Sequence, residues 1–112
     1  MSTNPNSDTI TIVSPPAAAA LPRPPDNLAT PILRRHDVET EYYAPRGVDT
    51  QSPHVRDELY FVALGTASFV AGEQRRRVSA GDFIFVPARA EHRFEQFSED
   101  FAVWVVFFGP KM

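Results

Sequence analysis

The chain has 112 residues, 43% of them hydrophobic and 22% charged, the proportions of one globular domain with a single core. It contains no cysteine and carries a formal charge of −3, which excludes disulfides, thiolate metal sites and cysteine nucleophiles and removes the basic footprint of a nucleic-acid binder. No run approaches the roughly 20 apolar residues of a membrane span.

Prolines and phenylalanines divide the chain. Six of the eleven prolines (Pro5, Pro15, Pro16, Pro22, Pro24 and Pro25) fall in the first 25 residues, and all nine phenylalanines lie from Phe61 onward. Residues 1–27 therefore read as a Pro-rich, largely irregular tail, and residues 28–112 as the folded domain. Pro15-Pro16 and Pro24-Pro25 favour extended polyproline geometry, and Ala17 to Ala20 are too few to nucleate a helix between prolines. Thr9-Ile10-Thr11-Ile12-Val13 is β-branched and alternating, a candidate strand for a sheet edge. The residues after Met1 are polar, with no apolar segment of the signal-peptide type, so a cytoplasmic location is expected.

From Ile32 the pattern is β. Residues 38–43 alternate charged and apolar side chains up to the turn signal Ala44-Pro45-Arg46-Gly47. Residues 58–64, 66–71, 74–78, 83–86, 92–97 and 101–108 read as six further strands, separated by Gly65, Gly72-Glu73, Ala80-Gly81-Asp82, Pro87 and a polar turn. Short strands with turns every 8–12 residues indicate an all-β sandwich or barrel. Arg75-Arg76-Arg77 reads as a charged edge strand that resists sheet-to-sheet aggregation. Residues 101–108 are apolar on both faces, so one face needs cover beyond the barrel. A second copy of the chain is the expected cover, with the N-terminal tail as the rival.

Two stretches carry candidate chemistry. The first holds His54, Glu58 and Gly65 at the spacing H-x3-E-x6-G. The second holds Gly81, Pro87, His92 and Gln96 at the spacing G-x5-P-x4-H-x3-Q. They resemble, in order, the two motifs of the cupin superfamily, G-x5-H-x-H-x3,4-E-x6-G and G-x5-P-x-G-x2-H-x3-N. The resemblance covers about two-thirds of the chain and includes the short 66–80 stretch between the motifs. Three positions depart. Ser52 stands where the first histidine belongs, Arg89 replaces the second motif's inner glycine, and Gly47 matches the leading glycine only approximately.

The resemblance implies an all-β double-stranded β-helix, a jelly-roll barrel with a ligand cavity on its axis. It also implies one divalent transition metal held by His54, Glu58 and His92. Two imidazoles and a carboxylate suit iron(II) and also accept manganese, nickel or zinc. The remaining position falls to water, substrate, Ser52 or Gln51; a regular strand would point Gln51 away, and a bulge at Pro53 would turn it inward. Alternation places Glu58, Tyr60, Val62 and Leu64 on one face, and His92, Phe94 and Gln96 on another. Tyr60, Phe94 and Gln96 are thus the expected pocket lining. Glu91 and Glu95 point away from it, so no general base is assigned. The expected function is metal-dependent chemistry on a small organic molecule, dioxygenase-like first. The alternatives are a non-catalytic small-molecule-binding module with a structural metal or none, and a metal-dependent isomerase or cyclase. A small-molecule ligand and a second copy are the expected partners, with no nucleic acid or membrane.

Overall fold

The computed structural model describes residues 9–25 and 27–112; residues 1–8 and Asp26, all in the expected tail, lie outside the described residues. The domain is an all-β jelly roll with one short helix. In chain order the elements are α1 (Pro15–Ala20), β1 (Thr30–Arg35), β2 (Val38–Tyr43), β3 (Asp57–Leu64), β4 (Thr66–Ala71), β5 (Gln74–Ser79), β6 (Phe83–Val86), β7 (Arg93–Glu95) and β8 (Ala102–Phe108). A five-stranded antiparallel sheet runs β1-β2-β8-β3-β6 and faces a three-stranded sheet, β5-β4-β7.

Register sorts the side chains. Across β2, β8 and β3, Glu41 lies opposite Val105 and Val105 opposite Tyr60; Glu39 lies opposite Phe107 and Phe107 opposite Glu58. Because side chains alternate, these residues share the inner face. The core forms where Tyr60, Val62, Val103 and Val105 meet Ala67, Phe69 and Phe94 of the smaller sheet, with Phe101 at one end. Leu64 departs from the expected face: the β3–β8 register shifts between Val62 and Leu64, and Leu64 is exposed. Arg75 and Arg77 share the outer face of the edge strand β5. Arg75 pairs with Glu95, and Arg77 bonds to Ser68, Thr66 and the Gln96 carbonyl.

The front of the chain differs from the expectation in two ways. Residues 15–20 form a helix despite Pro15 and Pro16. Both prolines occupy the first two helical positions, where no intrahelical N–H is required, and the Ser14 side chain caps the turn by accepting from the Ala17 N–H at 3.3 Å. So short a helix has little stability alone; packing holds it. Ala18 is fully buried, and with Val13 and Leu21 it seals Ile32, Tyr42, Ala102 and Trp104 on the outer face of the large sheet. The tail thus covers part of the second apolar face of β8. Residues 9–13, read as a candidate strand, lie outside every strand, and Ile10 and Ile12 face solvent; β-propensity alone makes no strand without a partner edge.

Candidate metal centre

His54, Glu58 and His92, 38 residues apart end to end in the chain, converge at one point: their ligand atoms all lie within 4.8 Å of one another. Each comes from a different local cause. Glu58 is the second residue of β3, and alternation turns it inward, where it is 1% exposed. His54 sits in the irregular 44–56 segment, and its carbonyl accepts a 2.6 Å hydrogen bond from the Arg89 N–H. His92 precedes β7 and is fixed by Nδ1, 2.8 Å from the Ala90 carbonyl, which aims Nε2 at Glu58 at 2.7 Å.

The Pro87–Ala90 turn therefore ties the two motif segments together. Ala90 N–H closes it on the Pro87 carbonyl, and Ala88 N–H donates to the Asp57 carboxylate. Arg89 holds φ +71 in this turn, the left-handed conformation that the family's glycine adopts freely and that costs an ordinary residue about 1–2 kcal/mol.

Both Glu58 carboxylate oxygens and His54 Nδ1 are buried with no hydrogen-bond partner. The close contacts at Glu58 Oε1, 3.5 Å from His54 Nδ1 and 2.7 Å from His92 Nε2, are ion-pair distances without hydrogen-bond alignment. Unpartnered buried polar atoms are rare, because each forfeits its hydration. Three of them facing one another are the arrangement that a cation resolves, and two imidazoles with one carboxylate fit a first-row divalent ion. Burial opposes ionisation of Glu58, but His54 and His92 outweigh it and hold the carboxyl below its usual range. Burial likewise opposes a charge on His92, but Glu58, the Ala90 carbonyl and the Asp49 charge together raise its pKa.

Behind His92 runs a buried network. Tyr60 Oη lies 2.9 Å from His92 Nε2 and donates to Gln51 Oε1 at 2.9 Å. Gln51 Nε2 in turn donates to Asp49 Oδ2 at 2.6 Å. Asp49, 5% exposed, also accepts from Tyr43 Oη and from the Gln51 and Phe94 N–H groups. Gln51 does turn inward, because residue 51 lies in no strand and its N–H closes back on the Asp49 side chain. Its amide oxygen, however, is occupied by Tyr60. Ser52 lines the cavity.

A cavity of about 200 Å³ adjoins the group at His54, which walls it together with Glu41, Tyr43, Gln51 and Tyr60; a second lobe of about 220 Å³ shares Asn27, Glu41, His54 and Phe107 with it. Of the expected lining, Tyr60 is in place. Phe94 is core: it is 1% exposed and packs against Tyr60 with ring centroids 5.1 Å apart. Gln96 is away from the cavity. It follows the end of β7 with φ +49, is exposed, and accepts from Arg75; the chain has left strand geometry there, so alternation no longer applies. The sequence reading missed Glu41, Asn27 and Asp49. Glu41 was legible in principle, since Glu39, Glu41 and Tyr43 alternate on one strand face. Burial raises the Glu41 pKa, against a hydrogen bond from Asn27 Nδ2 at 3.3 Å.

Comparison with known proteins agrees with this architecture. The Cupin_2 family model, a cupin domain, matches residues 35–108. An uncharacterized Streptomyces coelicolor protein, SCO3923, is 38% identical over 81 residues, covering 70% of this chain and 77% of that one. Among solved structures, a Cupin 2 conserved barrel domain protein from Salinispora arenicola superposes with a TM-score of 0.68 at 20% identity, covering 93% of this chain and 91% of that one. A proposed mannose-6-phosphate isomerase from Ralstonia eutropha gives 0.58 at 27% identity, covering 82% and 94%. The chain belongs to the cupin family.

Proposed function

We propose that this chain is a metal-dependent enzyme acting on a small organic molecule, with oxygenase-type chemistry as the leading reading. The observation that carries it is the set of three unpartnered buried polar atoms, on His54 and Glu58, converging with His92 beside a cavity that His54 lines. A bound ion would supply Lewis acidity, or as iron(II) the redox partner for O₂. The chain's own residues do the rest. His54, Glu58 and His92 hold the ion; Tyr43, Tyr60 and Phe107 wall the ligand; Asn27 and Glu41 offer it one donor and one acceptor.

The isomerase or cyclase reading is the second, and Glu41 favours it. A cavity-wall carboxylate whose pKa burial has raised can take a proton from carbon next to a carbonyl, the electron pair moving onto the carbonyl oxygen, and then return the proton to a neighbouring atom. The similarity to the Ralstonia protein points the same way.

Reconstitution with iron(II), manganese(II), nickel(II) or zinc(II) followed by elemental analysis tests the shared premise. About one ion per chain is expected, and His54→Ala or His92→Ala should weaken binding roughly a hundredfold or more, beyond the loss typical of a supporting residue. Oxygen uptake by the iron(II) form against a panel of phenols and β-diketones then separates the readings. Turnover without oxygen uptake, abolished by Glu41→Gln, would select the isomerase. Metal without any turnover would leave a binding module.

A further inference from the structure

The metal-centre reading leaves a gap where Ser52 replaces the family's first histidine, and the hydrogen bonding around Tyr60 shows what fills it. Asp49 accepts from Gln51 Nε2, so the Gln51 amide presents its oxygen, not its nitrogen, to Tyr60. Tyr60 has one hydroxyl hydrogen, and Gln51 Oε1 takes it. The lone pairs of Tyr60 Oη therefore face His92 Nε2, 2.9 Å away. His92 spends its Nδ1 hydrogen on the Ala90 carbonyl, so in the neutral ring Nε2 also presents a lone pair. Two lone pairs at that distance repel unless a proton on Nε2 or a metal ion lies between them, and the lone pairs of Tyr60 Oη serve either one.

One separation, from Tyr60 Oη to His92 Nε2, has the size expected between neighbouring ligands. With bonds of roughly 2.1 Å, ligand atoms at right angles about one ion stand about 3 Å apart. The Tyr60 Oη to His92 Nε2 distance of 2.9 Å falls in the same range as the 2.7 Å and 3.5 Å separations within the His–Glu–His group. Gln51 cannot take this place without abandoning Tyr60.

We infer that Tyr60 Oη is the fourth protein ligand of the metal centre, with Asp49 and Gln51 as the positioning residues that turn its lone pairs inward. The inference rests on the metal-centre reading but fails separately from it. Tyr60 is 1% exposed and packs edge-on against Phe69 and Phe94.

Iron(III) is the probe, because a phenol bound to it is held as phenolate and gives a visible ligand-to-metal charge-transfer band with characteristic resonance Raman modes. The full chain loaded with one iron(III) should be coloured. Tyr60→Phe should lose the band while still binding zinc(II), about tenfold or more weakly; Tyr43→Phe, which removes the other tyrosine of the network, should keep it. Stoichiometric iron without the band would overturn the ligand assignment and leave the metal centre standing. So would a band that survives Tyr60→Phe. Failure of the unmodified chain to bind iron(III) or zinc(II) at all would defeat the metal centre and this assignment with it.

Discussion

Glu58 and His92 form a pair whose two members titrate in opposite senses. Glu58 is held below its usual range, so its contribution to stability is complete above the unfolded value near 4.3 and is lost as pH falls through the folded value. His92 is raised, so its contribution is complete below the unfolded value near 6.5 and is lost as pH rises through the folded one. The ion-free chain is therefore most stable in the mildly acidic window between them, where a proton on Nε2 takes the place of a cation. A metal needs that nitrogen deprotonated, so metal affinity rises over the range in which the ion-free chain weakens. Thermal unfolding from pH 6 to 8 should show the melting temperature falling without metal and holding or rising with excess zinc(II). Parallel slopes in the two series would contradict this linkage.

At the scale of elements, the β3–β4 connection is the most constrained turn. Gly65 has φ +76, and a Cβ there would stand 2.3 Å from Ser98 Oγ, 2.6 Å from Asp100 Oδ1 and 2.9 Å from the Phe101 backbone. Ser98 is itself committed, accepting from the Thr66 N–H and donating to Asp100. Gly65→Ala combines left-handed strain with overpacking against fixed atoms, and should destabilise the fold by on the order of 3 kcal/mol in chemical denaturation. A loss under about 1 kcal/mol would mean that the 98–101 segment yields easily. This explains in physical terms why a glycine closes the first motif. It leaves β3 so that Glu58 and Tyr60 face the core while the chain doubles back into the second sheet.

For the whole molecule, the outer face of the large sheet is covered at one end and bare at the other. The helix and its flanks cover Tyr42, Ala102 and Trp104. Beyond them Phe61, Phe83 and Phe85, on the outer face of β3 and β6, are 42%, 57% and 51% exposed, and the rings of Phe61 and Phe83 are 5.4 Å apart between centroids. An aromatic cluster beside an edge strand is costly to leave in water. We propose that a second copy of the chain covers it. Sedimentation velocity at micromolar concentration should give a dimer, and Phe83→Ser with Phe85→Ser should give a folded monomer. A monomeric unmodified chain would refute the pairing. Among the described residues, no helix is long and apolar enough to cross a membrane.

The sequence by itself determined the strands from β2 onward, the turns between them and the three residues that meet at the centre; it did not mark β1 as a strand. Alternation and glycine punctuation are local properties of the chain, and the two motifs preserve their spacing along it. It could not place α1, because the helix depends on a capping serine, prolines at positions that tolerate them, and above all a sheet face to pack upon. Nor could it place Gln96, since a left-handed residue past the end of β7 breaks the alternation on which that reading relied. Asp49, Gln51 and Tyr60 belong to no shared motif. Only the tertiary structure decided that an irregular loop and an inward strand residue would meet, and so where Tyr60's lone pairs point; hydrogen-bond direction depends on every partner being in place at once.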